Sequence, residues 1–263
     1  MKQPKEEKKS PIEEKSLRYP AQSLDEKIDD LVIDKLIIYF MIPAIFFMLA
    51  LTSWINYWNK TIPNPYVFTF FTVVATVWST YKIIKFKKEL KSLRQGRDGE
   101  REVGMNLEFL REQGIKVFHD IQGNGFNLDH VLVGAQGVFV IETKTYSKPL
   151  KGECKIVYDG EKLSYNGDFE SDKPIIQAKA GAQWLKNLLK NSTAKDFNVH
   201  PVVVFPGWFT ESKVPPRDIW ILNPKGLDKF MQNSKTSLSS EDVALITNRI
   251  EIYIKNHGEN EGR

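Results

Sequence analysis

Between Leu128 and Thr143 the chain reads LDHVLVGAQGVFVIET, two apolar runs at 128–133 and 138–143 joined by Gly134-Ala135-Gln136-Gly137. A glycine-bearing connection of that length predicts an antiparallel hairpin. Apolar residues take nearly all the remaining strand positions, so the hairpin needs a packed layer against it, and the fold must supply one.

The same hairpin carries charge. Asp129 stands on the first strand, and Glu142 and Lys144 stand two residues apart at the end of the second, on one face by the period-two rule. Burying three charges is costly without a common partner, and a divalent cation is one. Asp129 and Glu142 with the Thr143 carbonyl make a hard, oxygen-rich partial shell suited to Mg²⁺ or Mn²⁺, which keeps waters as its other ligands. Lys144 would orient or deprotonate a metal-bound water, or offset charge developing on a phosphate. The competing reading is a surface strand with solvated charges.

This Asp…Glu-x-Lys pattern resembles the core of the PD-(D/E)XK nuclease superfamily. Together with Gly96-Arg97-Asp98-Gly99-Glu100 and His119-Asp120-Ile121, it is similar to the nuclease-related domain (NERD) family over roughly Gly96 to Phe205. The resemblance implies an α/β fold with a restriction-endonuclease-like core, αβββαβ, in which helices flank a mixed sheet. It also implies divalent-metal-dependent hydrolysis of phosphodiester bonds in nucleic acid, with DNA the expected partner. Glu100 matches a glutamate that the family carries near the active site, and Gln177 matches a glutamine near a helix start that would bond to the site or to a phosphate. Read without the resemblance, Glu100 suits the positive end of a helix dipole and Gln177 an exposed helix surface. Leu128 stands where the superfamily name has proline, which removes no ligand.

The rest of the chain supplies an anchor. Leu36–Ile55 holds no charge and would be about 30 Å long as a helix, which matches a hydrocarbon core. Tyr66–Ile84 is uncharged until Lys82 but carries five Ser/Thr hydroxyls, which can bond back to helix carbonyls. Trp54, Tyr57, Trp58 and Tyr66 flank the Asn/Pro-rich turn between them, as interfacial aromatics do. The pair reads as a transmembrane hairpin; a buried apolar hairpin of a soluble protein is the alternative. Lys27 and Lys35 precede the first span and Lys82 to Arg94 follow the second, whereas the connecting loop has only Lys60. The positive-inside rule then puts both termini and the Asp129–Lys144 site in the cytosol of a two-span membrane protein. The basic run 82–97 reads as a lipid-facing anchor or as part of a nucleic-acid track.

The organisation expected is a disordered then amphipathic N-terminus at 1–35, the hairpin at 36–84, a basic linker at 85–97, the nuclease-like domain at 98–223 and a helical extension at 224–263. The Lys/Glu-rich stretch to about Tyr19 has too few large apolar residues to order itself. Ser23 and Glu26 form a possible capping box. Inside the domain, the pattern gives a helix over 98–113, strands over 115–120, 154–158, 162–165 and 199–205, and a helix starting at Asp172-Pro174 with Ile175, Ile176, Trp184, Leu185, Leu188 and Leu189 packing. Beyond it come a strand at 219–222 and helices at 225–232 and 239–255, the last opened by Ser239 and Asp242. The single Cys154 excludes an intrachain disulfide and a thiolate metal cluster. Two other function classes compete: a binding or scaffold protein that keeps the fold without cleaving, and a channel or sensor, against which the absence of intramembrane charge argues.

Overall fold

The computed structural model describes residues 17–61, 64–149, 152–167 and 169–258. These form two compact units, one spanning Ala21–Gly99 and the other formed by the residues up to Pro20 with Glu100–Arg263.

The first unit is a pair of helices. α1 covers Gln22–Trp58, and α2 begins at Tyr66 and runs to Glu108, past the end of this unit. Both are long and apolar enough to cross a membrane, with mean hydropathy of 2.3 and 1.5 in their apolar windows. Thr72, Thr76 and Thr80 each donate to the carbonyl four residues back, and Ser79 donates to Tyr39 O at 2.5 Å across the pair. These four hydroxyls are thus satisfied within the helix pair, as an apolar surround would require. Trp54 Nε1 donates to Thr69 Oγ1 at 3.0 Å, and its ring meets Tyr57 and Tyr66 edge-on.

Two expectations change here. The expected capping box does not start α1: Ala21, in the left-handed region at φ 61°, is the N-cap and gives no side-chain cap. The stretch 85–97 is not a separate linker but part of α2, because its Lys, Glu, Leu and Arg residues favour helix and no proline stops it.

The second unit is built on a five-stranded sheet. β1 (Lys116–Gln122), β2 (Asn127–Gly134) and β3 (Gly137–Thr143) form an antiparallel meander. β7 (Val199–Val204) adds parallel to β3, and β9 (Trp220–Leu222) parallel to β7, giving the order β1-β2-β3-β7-β9. The predicted hairpin closes through Ala135-Gln136 between the paired Gly134 and Gly137. The crossover between the parallel strands β3 and β7 contains α3 (Lys173–Thr193).

Each face of this sheet is covered. Leu128, Val131, Val133, Val138 and Val140 pack with Ala182, Leu185 and Leu189 of α3 and with Ile246 and Ile250 of α5 (Ser240–Gly258). Val117, Leu132, Phe139, Ile141, Val202 and Val204 pack with Val103 and Leu107 of α2 and with Leu227 and Met231 of α4 (Leu227–Gln232). Each side chain fully removed from water in these layers contributes about 1.5–3 kcal/mol. α3 lies close against the sheet at Gly181, where a Cβ would stand 2.7 Å from Leu128 Cδ2. Ile176, expected in this core, is exposed: α3 turns Ile175 inward and its neighbour out. The Ser239 cap of α5 forms as expected, its Oγ accepting the Asp242 amide at 3.2 Å.

The strands expected at 154–158 and 162–165 form an antiparallel pair in a second sheet, to which two strands not legible in the sequence are added. β4 (Lys155–Tyr158), β5 (Leu163–Tyr165) and β6 (Phe169–Ser171) pair antiparallel, and β8 (Phe209–Ser212) joins β4 in parallel, in the order β6-β5-β4-β8. Its buried side, Ile156, Tyr158, Leu163 and Tyr165, packs against Ile175 and Ala178 of α3 and against Phe205 and Trp208.

Candidate active site

The meander brings the acids together by register. His119 pairs with His130 and Ile121 with Leu128, so Asp120 and Asp129 face each other between them. His130 pairs with Ile141, and one further step along that ladder sets Asp129 opposite Glu142. Asp120, Asp129 and Glu142 therefore form one row across β1, β2 and β3. The strands do not keep regular alternation here. Phe118 and Ile121 reach the same apolar layer, and so do Val131 and Leu128, although each pair is three residues apart. Between the members of the first pair, Asp120 adopts φ 50°, a region that a side chain other than glycine rarely occupies.

Asp129 is fixed by its neighbour strand: its Oδ2 accepts the Thr143 amide at 2.6 Å. Thr143 lies at the end of β3, and Lys144 N donates to Val204 O at 2.9 Å on the β7 side. Because successive peptide groups along a strand point to opposite sides, the Thr143 carbonyl leaves on the same side as Asp129. Glu142 is 9% exposed and accepts from Lys144 Nζ at 2.5 Å. Burial opposes the Lys144 charge, but Glu142 and Asp129 outweigh it and raise the ammonium pKa. Lys144 is thus a cation at neutral pH.

Glu100 enters from the part of α2 that belongs to this unit. Its carboxyl is raised to about 8, first by burial, then by the charges of Asp120 and Glu142, with Lys144 working the other way. Asp129 is raised well above the ordinary carboxylate value, by burial and then by Glu142 and Glu100. Several acids therefore share too little solvent and too few cations. Glu100, Asp129, Glu142 and Lys144, all singled out from the sequence, converge; Gln177 does not. It is exposed on α3 and makes no hydrogen bond to Asp129, Glu142 or Lys144.

Asp120 is the site residue that sequence reasoning missed. It is 1% exposed, and its Oδ2 receives Arg18 Nε at 2.9 Å and Nη2 at 2.8 Å. An acid inside the apolar strand KVFHDIQ was the available signal, since aspartate is depleted in strands. Leu17–Tyr19, expected in a disordered tail, are placed, with Arg18 holding this acid; residues 1–16 lie outside the described residues.

Behind the row lies a buried histidine pair. His119 Nε2 meets Glu108 Oε1 at 2.8 Å, and the two Nδ1 atoms are 2.9 Å apart. If Glu108 accepts the His119 Nε2–H, the neutral His119 Nδ1 accepts from His130 Nδ1–H, and His130 Nε2 is left as a buried acceptor without a partner. Burial lowers both pKa values, which keeps the pair neutral.

Among the described residues no three His, Cys, Asp or Glu side chains stand close enough to hold a metal by themselves. The donor set suits a cation that keeps waters. Asp129, Glu142 and the Thr143 carbonyl are hard oxygens, crowded carboxylates gain from a cation, and Mg²⁺ typically takes one or two carboxylates with water.

Residues 95–206 match the family described as nuclease-related domain (NERD). Comparison with curated proteins and with solved structures gave no match.

Proposed function

We propose that this chain, whose residues 95–206 match the nuclease-related domain family, is a membrane-anchored, cytosol-facing, divalent-metal-dependent nuclease. The observation that carries the reading is the convergence of Asp129, Glu142 and Lys144 at one end of the meander, with Glu100 beside them.

Asp129, Glu142 and the Thr143 carbonyl would hold Mg²⁺ or Mn²⁺. When bound, the ion supplies Lewis-acid polarisation of a phosphate oxygen and a more acidic water. The Asp129 bond to the Thr143 amide fixes one carboxylate relative to the strand that carries the other. Lys144, held as an ammonium by Glu142, acts by stabilising negative charge on the phosphate and orienting water; its raised pKa keeps it protonated and so unavailable as a general base near neutral pH. Glu100, with a pKa of about 8, is suited to carry a proton to a leaving oxygen near neutral pH. Gln177 would meet the nucleic acid only farther along α3.

The membrane reading rests on the two apolar helices. A hairpin of two spans returns the chain to the side from which it entered, so on this reading the segments before and after it share one side of the membrane. The surplus of lysine and arginine flanking the spans over the single Lys60 supports the cytosol as that side.

The test is strand cleavage by the full chain in detergent micelles, on duplex and single-stranded DNA and on RNA, with Mg²⁺, with Mn²⁺ and with chelator. Cleavage that requires the metal supports the proposal. Phosphate contacts predict binding that weakens steeply with salt and discriminates little between sequences. Salt-dependent binding without cleavage under any metal would establish the non-cleaving scaffold instead.

A further inference from the structure

Arg18 precedes the helical hairpin in sequence, yet it belongs to the same compact unit as Asp120. Two of the contacts that seat its segment bear on the site. One is the Arg18–Asp120 ion pair, whose side chains are only 11% and 2% exposed. The other is Pro20 against α2: a Cβ on Gly104 would stand 2.4 Å from the proline Cγ, so glycine permits the approach.

We propose that Arg18 is a positioning residue of the carboxylate site: by fixing Asp120 at the β1 end of the acidic row, it sets the charge that Glu100, Asp129 and Glu142 present to a cation. This rests on the metal-dependent reading above and adds a residue to it from the far side of the hairpin.

Three observations support it. Asp120 occupies the register position beside Asp129, and it is the largest source of charge acting on Glu100. It sits at φ 50°, a conformation that persists where surrounding contacts hold it, as Arg18 and the Asn127 amide at 3.4 Å do. Removing one partner of a buried ion pair leaves the other as an uncompensated charge, so a change at Arg18 is felt at Asp120 and through it by the row. Loss of Arg18 makes the site more negative, and loss of the Asp120 charge makes it less so.

The experiment is calorimetric Mn²⁺ titration of the full chain in detergent, with thermal melts in the absence of metal. Arg18→Gln should tighten Mn²⁺ binding and Asp120→Asn should weaken it, each by about threefold or more. The double variant should return to within about twofold of wild type, and Arg18→Lys should stay near it. Without metal, each charge-removing single variant should melt lower than wild type, and the double variant should recover part of the loss. A pair that only supports the fold would move the melts and leave the Mn²⁺ affinities unchanged; that result, or affinity shifts of one sign in both single variants, overturns the proposal. If Arg18→Gln does not fold, Asp120→Asn alone must still weaken binding, and an unchanged affinity refutes the role. Wild-type protein that binds no Mn²⁺ defeats the metal reading itself, and this inference with it; affinity shifts that fail in the variants alone leave the metal reading standing.

Discussion

Asp129 accepts the amide of Thr143 at 2.6 Å, so the acid on β2 is held by the residue that follows Glu142 on β3. The two candidate ligands are thereby locked in mutual position by one charge-assisted bond that replaces a ladder contact where regular pairing ends.

That bond makes amide substitutions clean probes. Asp129→Asn keeps a carbonyl oxygen for the Thr143 amide, and Glu142→Gln keeps the size of its side chain. Both should retain the circular dichroism spectrum while losing calorimetric Mn²⁺ binding and metal-dependent cleavage. Wild-type cleavage by Glu142→Gln would remove that residue from the site.

Lys144→Ala should behave differently. It takes a cation from the substrate's side of the site, and turnover should fall by about 10²–10³-fold, as for the loss of one oriented donor. Mn²⁺ binding should persist or strengthen, because the Glu142 carboxylate loses its competing partner. Single-turnover cleavage and calorimetry on the same preparation separate the two effects.

Stability without metal should fall as pH rises from about 4.5 to 8, because over that range folded Glu100 keeps a proton that the unfolded chain has released. Asp129 contributes in the same direction. Glu100→Gln cannot lose a proton, so its melting temperature should vary less with pH and exceed that of wild type at pH above 8. Parallel melting curves for the two proteins would show that Glu100 titrates normally.

Gly181→Ala places a methyl 2.7 Å from Leu128 Cδ2 and 3.4 Å from Val140 Cγ1. Overpacking of this kind costs about 1–3 kcal/mol, partly offset by the better helix propensity of alanine, about 1 kcal/mol. A net loss in chemical-denaturation midpoint is expected. Cleavage should fall too, since Leu128 precedes Asp129 on the displaced strand.

Cysteines placed singly at the exposed positions Asn59 and Ser192, in a Cys154→Ser background, test the orientation. An impermeant maleimide should label only position 59 in intact cells and position 192 only after permeabilisation. Labelling of position 192 in intact cells would reverse the assigned side.

The parts legible in the sequence are those specified by neighbours along the chain. The β2–β3 hairpin follows from its glycines and apolar runs, α3 from Asp172 and Pro174, and α5 from Ser239 and Asp242. The order β1-β2-β3, then α3, then β7, appears as expected. What escaped depends on distant partners. Nothing near Asp120 announces Arg18, and nothing near His119 announces His130 across the strand pair. β8 returns to pair with β4 after α3 and β7, a pairing with no local signal. Ile176 was misassigned because two adjacent isoleucines at a helix start leave the inward phase ambiguous until Ala178 and Leu185 fix it. Gln177 shares that outward turn, which takes it away from the acids.

The ion pair between Arg18 and Asp120 joins residues 102 positions apart, with the whole helical hairpin made in between. At about 5–20 residues per second, the arginine is synthesised roughly 5–20 s before its aspartate. On the membrane-anchored reading proposed above, the hairpin is made during that interval and is available for insertion before the acidic row is complete. Newly made chains should therefore acquire their membrane location first and any ability to bind a cation only afterwards.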